Sequence, residues 1–406
     1  MDIERLVEDF RSNFPILQSK VYNKPLVYLD SAATAQKPLQ VLKCEQMLYT
    51  TLNANIHRGV HYLSEQMTAR YEQARVQIAN YIGAKSSSEI IFTAGATASI
   101  NLVARSWSES FLHTGDVVLV SQMEHHSNIV PWQLAAARHG AIVKAIPITD
   151  SGEIDMVAYD SLLSQSVKMV AITQASNTLG TCPDLERIIT LAHGVGAKVL
   201  VDGCQGIVHG GVNVAQLDCD FYTFSGHKLY APTGIGVLYG KSELLDSMPP
   251  FMGGGDMVDK VTFSGTTYAP VPLKFEAGTS NFVGAVALAE AIAFLEEHSE
   301  LKGYEQRLLR YATEQLQSID GLTIYGTAAH KAPIVCFNVE GCNHYDIGMI
   351  LDKMGVAIRT GHHCAQPVMD RFSVSGMCRA SFALYNTMSE VDALVQGVNR
   401  AVKMLR

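Results

Sequence analysis

Seven short apolar runs, separated by longer segments with helical spacing, constrain the fold of this chain more than any other feature. The segments between several runs, such as 129–139 and 185–193, carry apolar residues at the spacing of amphipathic helices. Strands and helices that alternate in this way form a mainly parallel sheet covered by crossover helices. The pattern therefore predicts an α/β domain, and the runs that would form its six or seven buried strands are 89–93, 116–121, 141–148, 168–173, 198–202, 221–225 and 236–239.

The regions on either side of this pattern predict further elements. Apolar residues at helical spacing before Pro15 predict a short amphipathic helix that serves as an arm or a lid. The stretch 251–272 contains three consecutive glycines and lacks periodicity, so we expect a hinge or an active-site loop there. A long helix over 284–298 and a second α/β pattern over 301–406 follow. We predict a large domain and a smaller α/β C-terminal domain joined by an N-terminal arm, with the boundaries 1–25 for the arm, 26–295 for the large domain and 296–406 for the small one.

The composition excludes several classes of protein. The 406 residues carry a formal charge of -8 without a run of lysine or arginine, which argues against a nucleic-acid partner. No stretch reaches the roughly 18 apolar residues of a membrane span, and the N-terminus lacks the pattern of a signal peptide. Eight cysteines without a CxxC pair predict neither a disulfide framework nor a structural zinc site. We expect a cytoplasmic protein with no membrane partner.

A single lysine follows the aromatic run 221–225, in the sequence Ser225-Gly-His-Lys228. Residues after the carboxyl end of a strand face the ligand crevice of an α/β sheet. There the Lys228 amine can form a Schiff base with an aldehyde cofactor, and burial increases its reactivity. The alternative is a surface lysine after an edge strand, and the position alone does not decide between them.

Two other strand ends favour a cofactor site. Asp202 ends the run 198–202, and a buried carboxylate is costly without a cationic partner. The protonated ring nitrogen of pyridoxal phosphate is such a partner, and its charge makes the ring an electron sink. The glycine turn 93–97 precedes a helical pattern, where free N–H groups and the helix dipole hold phosphates. The alternatives are a helix cap for Asp202 and an ordinary turn at 93–97.

Two adjacent histidines, His125 and His126, follow the run 116–121. His125 is placed to stack on a planar ring and to move protons. A metal site is one alternative, but neighbours in sequence seldom converge on one ion, and neither an HExxH spacing nor an acidic cluster completes a site. We therefore predict no metal site, while histidines that only fill the core or the surface remain a second alternative.

Together with the region around a C-terminal cysteine, these motifs resemble the group II cysteine desulfurases. That group is the SufS/CsdA-like and selenocysteine-lyase-like branch of the class V aminotransferase superfamily, with fold type I. The resemblance extends in order from Val27-Tyr-Leu-Asp-Ser-Ala-Ala to Arg379-Ala-Ser. Its motifs are Glu124-His125-His126-Ser-Asn, Asp202-Gly-Cys-Gln205, Ser225-Gly-His-Lys228 and Arg359-Thr-Gly-His-His-Cys364-Ala.

The resemblance implies a role for each matching residue. Lys228, Cys364 and His125 are implied as catalytic residues, with Lys228 the Schiff-base lysine, Cys364 the sulfur-accepting nucleophile and His125 the stacking base. Implied contacts to pyridoxal phosphate are Asp202 at the ring nitrogen, Gln205 at the ring hydroxyl, Thr97, Ser225 and His227 at the phosphate, Asn177, and Thr279 from a second subunit. Implied substrate contacts are Arg379, Asn177 and Arg359, with His57 and Arg58 at the entrance.

The implied reaction converts L-cysteine to L-alanine and a Cys364 persulfide, which supplies sulfur for iron–sulfur cluster assembly. L-selenocysteine is the second expected substrate. Because a free thiol is only a few per cent ionised at neutral pH, a cationic His362 or His363 beside Cys364 would raise the reactive fraction. If Thr279 serves the neighbour's cofactor, the enzyme is a homodimer.

Some positions depart from the family pattern. Ala94, Ala98 and Met252 stand where many relatives have charged residues, which puts polar contacts between subunits in doubt. In relatives with a zinc-containing acceptor, a histidine directly before the helix Asp takes over a zinc ligand. Here Tyr345 precedes Asp346, and His344 lies about 100° away around the helix. We therefore expect a zinc-free, SufE-type sulfur acceptor.

Two rival functions follow from the same residues. Another class V enzyme, an aminotransferase or a kynureninase-like β-lyase, would keep Lys228 and Asp202 but would not need Cys364. A non-catalytic binding protein on the same fold would lack both cofactor absorption and activity. Analysis of the products separates these alternatives.

Overall fold

The computed structural model describes residues 3–406, and the predicted α/β architecture is confirmed. A seven-stranded sheet has the strand order β4-β10-β9-β8-β7-β5-β6, and only β10 runs antiparallel to its neighbours. All seven predicted runs form strands of this sheet. Within residues 3–406 the strands are β1 Lys20–Val21, β2 Lys24–Pro25, β3 Val27–Tyr28, β4 Ile90–Thr93, β5 Val117–Ser121, β6 Ile142–Ile146, β7 Val167–Thr173, β8 Lys198–Asp202, β9 Phe221–Ser225, β10 Gly236–Gly240, β11 Val258–Thr262, β12 Gly265–Tyr268, β13 Leu322–Tyr325, β14 Ile334–Val339, β15 Val356–Ala357, β16 Arg359–Gly361 and β17 Met377–Ser381.

Helices cover the sheet, and several of them begin and end where the sequence supplies a cap. The Asp184 side chain accepts a hydrogen bond from the Arg187 N–H at the start of α7, and Gly140 ends α5 in the left-handed conformation. Within the described part of the chain the α-helices are α1 Ile3–Ser12, α2 Leu39–Thr51, α3 Tyr62–Tyr81, α4 Ala96–Phe111, α5 Val130–His139, α6 Met156–Leu162, α7 Leu185–Gly194, α8 Gly206–His209, α9 Val214–Leu217, α10 Ser242–Ser247, α11 Phe282–Glu297, α12 Tyr304–Gln317, α13 His344–Lys353, α14 Gln366–Arg371 and α15 Met388–Leu405.

The C-terminal part of the chain forms a second sheet. Its four strands are antiparallel in the order β13-β14-β17-β16, α12 and α13 pack beside them, and α15 packs on these two helices. The short strand β3 pairs in parallel with β15, although more than 300 residues separate the two in sequence. This pairing holds the segment after β3 against the C-terminal sheet.

The N-terminal helix is confirmed, and it packs on both parts of the molecule. Phe10 of α1 contacts Tyr230 and Phe294, with ring centroids 6.3 and 5.2 Å apart. The Arg11 guanidinium donates to the Tyr385 carbonyl at 2.8 Å and pairs with Glu390, also at 2.8 Å. Because these contacts are largely buried, the helix forms part of the core.

The segment 251–272 differs from the expected irregular loop. It contains an antiparallel hairpin of β11 and β12, whose residues are almost all exposed, with Phe263 at its tip. An exposed two-stranded ribbon has no buried face, so its sequence need not alternate between apolar and polar residues.

The register of the main sheet places the carboxyl ends of its strands at one edge. Thr173 at the end of β7 lies beside Asp202 at the end of β8, and Asp202 lies beside Thr223 of β9. Across β10, Ser225 and Thr93 are both level with Gly236. The segments that follow β4, β5, β7, β8 and β9 therefore meet at this edge. Among residues 3–406, no helix is long and apolar enough to cross a membrane.

Candidate active site

A cavity of about 220 Å³ lies at this edge of the sheet, and ten of the fourteen residues with implied catalytic, cofactor or substrate roles line it. A larger cavity of about 490 Å³, near His209 and Glu305, contains none of them. The smaller cavity is lined by Ala32, Ala33, Ala96, Thr97, His125, Ser127, Asn177, Asp202, Cys204, Ser225, His227, Lys228, Arg359, His363, Cys364 and Arg379.

Lys228 ends a single helical turn that follows β9 directly. Its amine makes no hydrogen bond or ion pair with any residue between 3 and 406, so it is available to a ligand in the cavity. The preceding His227 carbonyl accepts hydrogen bonds from the Ala35 N–H at 3.1 Å and from the Lys37 amine at 2.9 Å. These bonds fix the backbone that carries Lys228. Burial, with the nearby charge of Lys228, lowers the pKa of His227 to about 4.

The floor of the cavity is formed by strand ends and by the first turn of α4. Asp202 is buried, and its carboxylate accepts the Cys204 N–H at 3.0 Å but forms no ion pair within the described residues. The Ser225 hydroxyl accepts the Ala96 N–H at 2.9 Å. A Cβ on Gly236 would lie 2.4 Å from the backbone of Gly95, so glycine is required for this close approach.

His125 lies in the cavity as a neutral ring. Burial and the nearby Lys228 charge lower its pKa to about 4. The Ser127 N–H donates to Nδ1 at 3.1 Å, so the neutral ring carries its hydrogen on Nε2. Beneath it, the fully buried Glu124 accepts hydrogen bonds from the Ser121 hydroxyl, from Asn128 at 2.8 Å and from the backbone at position 173 at 2.9 Å. Glu124 was not predicted as a site residue, although it stands in the quoted motif.

Two arginines from the C-terminal sheet share one carboxylate. Arg379 is 2% exposed and donates to Asp30 at 3.0 Å and to the Asn177 carbonyl at 2.8 Å. Arg359 pairs with the same Asp30 at 3.2 Å, and its side chain is 48% exposed. Asp30 was also missed. Like Glu124, it stands in a quoted motif, Val27-Tyr-Leu-Asp-Ser-Ala-Ala, but no role was assigned to it.

Cys364 lies on the turn between β16 and α14, and of the eight cysteines in the chain it is the exposed one. Both His363 and Cys364 have a left-handed backbone, with φ of +52° and +54°. Such residues cost about 1–3 kcal/mol each and persist only where surrounding contacts hold them. The Asn177 amide donates to the His363 carbonyl at 2.8 Å, which is one such contact.

Of the two histidines beside Cys364, His363 is not the one that could supply a positive charge to the thiol. Burial and the nearby Arg379 lower the pKa of His363 to about 3, so its ring is neutral at neutral pH. His362 is exposed, and its Nδ1 accepts the Cys364 N–H at 3.2 Å.

Four predicted residues do not line the cavity. The Gln205 amide, just behind it, donates to the Ala32 carbonyl at 2.7 Å. His57 pairs with Glu72 at 3.0 Å, Arg58 pairs with Asp256 at 3.0 Å, and Thr279 is exposed. No group of three or more His, Cys, Asp or Glu side chains within residues 3–406 is arranged to hold a metal ion.

The chain is similar to known proteins over almost its whole length. The sequence profile of the class-V aminotransferases matches residues 27–394. A cysteine desulfurase of Dickeya dadantii is 47% identical over 402 residues, which cover 98% of this chain and 97% of the relative. A probable cysteine desulfurase of Vibrio cholerae is 48% identical, with coverage of 98% and 99%.

Solved structures agree with the sequence relatives. The crystal structure of the cysteine desulfurase CsdA from Escherichia coli has a TM-score of 0.92 and 42% identity, and the alignment covers 98% of this chain and 99% of that one. A cysteine desulfurase from Thermococcus onnurineus has a TM-score of 0.93 and 36% identity, with 98% coverage of both chains. The prediction of fold type I is therefore confirmed. The chain belongs to the class-V aminotransferase family, among its pyridoxal-phosphate-dependent cysteine desulfurases.

Proposed function

We propose that desulfuration takes place in the cavity between Lys228 and Cys364. The observation that carries this proposal is that one cavity collects a lysine amine without a partner, a buried carboxylate at Asp202, the neutral His125 and the exposed cysteine. A cysteine desulfurase needs a proton carrier, an electron sink and a thiol that accepts sulfur, all close together. Lys228 can carry the proton, Asp202 can hold the ring that serves as the electron sink, and Cys364 is the thiol.

The residues of the cavity fit pyridoxal phosphate. Lys228 would hold its aldehyde carbon and Asp202 its ring nitrogen, while the first turn of α4 with Ser225 and Thr97 would hold its phosphate. We propose further contacts from His227, Asn177 and Gln205. When bound, the group supplies an electron sink for charge that develops at the substrate α-carbon.

The chain's own groups then perform the remaining steps. Arg379, with Arg359 and Asn177 beside it, holds the substrate carboxylate. The Lys228 amine takes the proton from the α-carbon. The Cys364 thiolate attacks the substrate sulfur, so that an S–S bond forms and the substrate's carbon–sulfur bond breaks. The β-carbon left behind takes up a proton and becomes the methyl group, and the Lys228 ammonium returns a proton to the α-carbon, so that the product is L-alanine. His125, which carries its hydrogen on Nε2, is placed to hold or donate a proton within the cavity.

We also propose a homodimer in which His57, Arg58 and Thr279 serve the neighbour's cavity. These three residues lie outside the cavity of their own chain. His57 packs on Tyr71, whose hydroxyl donates to Glu276 of the buried pair with Arg75. The same surface exposes several large apolar side chains, which is typical of an interaction site. They are Val60, Tyr62 and, at the tip of the hairpin, Phe263.

The proposed sulfur acceptor is of the zinc-free SufE type. His344 is 8% exposed, and its Nε2 is buried against Gly376, where a Cβ would come within 2.5 Å of it. The exposed neighbour Tyr345 has no metal-binding group of the kind that zinc prefers. Neither residue is placed to take over a zinc ligand from a partner.

Three finer statements belong to the same proposal. The enzyme acts on L-selenocysteine as well as on L-cysteine, and it works in the cytoplasm.

The proposed parts of the enzyme are the arm at 1–25, the large cofactor-binding domain at 26–295 and the small domain at 296–406, which carries the Cys364 turn. The pairing of β3 with β15 supports an arm whose contacts with the small domain continue just past residue 25.

The test of the proposed site is to incubate the purified enzyme with L-cysteine and measure both alanine and protein-bound sulfur. We expect one alanine for each sulfur released and a persulfide that peptide mapping places on Cys364. Persulfide on another cysteine, or turnover of an amino-group acceptor without sulfur release, would contradict it.

The acceptor is tested separately, with each acceptor class at equal concentration and cysteine in excess. Slow release of sulfur from Cys364 should limit turnover, so a SufE-type protein is expected to raise the rate of alanine formation. Stimulation by a zinc-containing acceptor alone, abolished by His344→Ala, would overturn this part of the proposal.

A further inference from the structure

The second histidine of the His125-His126 pair has no part in the proposed reaction and does not line the cavity. It begins the short turn His126–Asn128, and its contacts lead away from the large sheet to the turn that carries Cys364. The two adjacent histidines therefore lie in different regions: His125 lines the cavity, and His126 contacts the turn that carries Cys364.

His126 and the Cys364 turn are connected on both sides of the cysteine. The backbone N–H of His126 donates to the Cys364 carbonyl at 2.8 Å. Its Nε2 accepts the N–H of Gln366 at 3.1 Å. Its ring stacks on His362, with centroids 5.8 Å apart and planes inclined by 28°, and His362 in turn accepts the Cys364 N–H.

These contacts act on a backbone that would not keep its shape alone. Two consecutive residues, His363 and Cys364, are left-handed without being glycine. L-residues rarely adopt this conformation, and neighbouring residues must hold them there. Asn177 holds the turn at His363, whereas the contacts at Cys364 itself come from His126 and His362.

We propose that His126 is a positioning residue that holds the Cys364 turn in its left-handed conformation and so directs the thiol at the substrate sulfur. This inference rests on the proposed role of Cys364 as sulfur acceptor. The bond from Gln366 requires a neutral His126, because a protonated ring has no lone pair on Nε2. Burial lowers the pKa of His126, in agreement with a neutral ring.

The test compares His126→Ala with His126→Gln in the holoenzyme. Alanine removes the ring but keeps the backbone bond to Cys364, so it isolates the contribution of the side chain. Glutamine restores an acceptor oxygen at about the reach of Nε2. The matched control is His330→Ala, which removes an exposed histidine that does not line the cavity.

Two readouts are needed, one of which does not depend on turnover. In His126→Ala we expect kcat for L-cysteine to fall at least about tenfold, with KM little changed and the cofactor absorbance retained. Without substrate, iodoacetamide should alkylate Cys364 several-fold faster, because the turn samples more open conformations. His126→Gln should recover most of both properties, and the control should match the wild type.

Equal alkylation rates and equal kcat in His126→Ala and the wild type would overturn the positioning role. So would a fall in kcat that is matched by loss of bound cofactor, since that result indicates general damage. A wild-type enzyme that turns over cysteine without forming a Cys364 persulfide would instead contradict the proposed function, and the alkylation rates would still report on the turn.

Discussion

The two walls of the cavity are built in different ways. Asp202 ends a buried strand of the seven-stranded sheet and pairs with both neighbouring strands, while Lys228 and His125 lie three and four residues past the ends of β9 and β5. The exposed Cys364 lies on a turn with a left-handed backbone, which a few hydrogen bonds with His126, Asn177 and His362 hold in place. Parts of a protein with few buried contacts open at lower free energy than its core. The difference indicates a rigid wall that binds the cofactor and a more adaptable wall that captures and passes on sulfur.

The largest effect is expected on the rigid wall, from Lys228→Ala. Because this amine is both the cofactor anchor and the proposed proton carrier, activity on L-cysteine and L-selenocysteine should fall together by more than about a thousandfold. Borohydride reduction of the wild type should attach the cofactor to Lys228, and peptide mapping identifies the labelled residue. Lys144, an exposed lysine of β6 in the same sheet, serves as the control in Lys144→Ala. If borohydride attaches the cofactor to any other lysine, Lys228 is not the cofactor anchor, and the comparison between the two walls of the cavity does not hold.

The next effect separates the two walls. Cys364→Ala should keep the bound cofactor and its absorbance, because the strand ends are untouched. Activity on L-cysteine should fall about a hundredfold or more, whereas activity on L-selenocysteine should be partly retained, since selenium leaves more readily without the help of a thiolate. The partly exposed Cys342 provides a control in Cys342→Ala, which removes a thiol that does not line the cavity. Equal rates of Cys364→Ala and wild type on cysteine would exclude the nucleophile role.

A third prediction concerns the two arginines that share Asp30. Arg379→Lys loses the forked donor of a fully buried group, and a lost hydrogen bond to a charged partner is worth about 1.5–3 kcal/mol, so KM for L-cysteine should rise about 10- to 100-fold. Arg359→Lys is the comparison. Its side chain is 48% exposed, and exposed ion pairs contribute roughly 0–1 kcal/mol, so KM should rise less than about fivefold. If Arg359→Lys raises KM more than Arg379→Lys does, Arg359 is the main contact of the substrate carboxylate, contrary to the proposal.

The rigid wall was predictable from the sequence, and the physical reason is local. A strand buried on both faces is a continuous apolar run, and a polar residue at its carboxyl end must lie at the edge of the sheet. Lys228 and Asp202 were found by this rule, and the resemblance added the cavity residues that no local pattern marks.

The features that were missed depend on contacts between distant parts of the chain. Asp30 reaches the arginines because β3 pairs with β15 and Asp30 itself bridges to Ser381 of β17, and nothing near Asp30 in the sequence indicates these pairings. The left-handed backbone at Cys364 carries no glycine that would reveal it. The hairpin of β11 and β12 was read as a loop because its exposed residues show no apolar alternation.

The smallest expected effect tests the wall that carries Cys364 through the pH dependence of stability. His363 is 6% exposed, and its pKa falls from 6.5 to about 3 on folding. Between these values the unfolded chain binds the proton that the folded ring rejects, so stability is full above about pH 6.5 and falls as the pH decreases. One such histidine lowers the free energy of unfolding by about 1.4 kcal/mol per pH unit, or about 2 kcal/mol between pH 6.5 and 5.

In His363→Gln, whose amide can still donate to the Met377 carbonyl, the free energy of unfolding should therefore decrease by about 2 kcal/mol less than in the wild type over this interval. Urea unfolding of the apoprotein at both pH values measures the difference, and His330→Gln, at an exposed position, should follow the wild type. If His363→Gln loses as much stability as the wild type, the His363 ring is not held neutral, and the Cys364 turn is more open to solvent than its buried neighbour indicates.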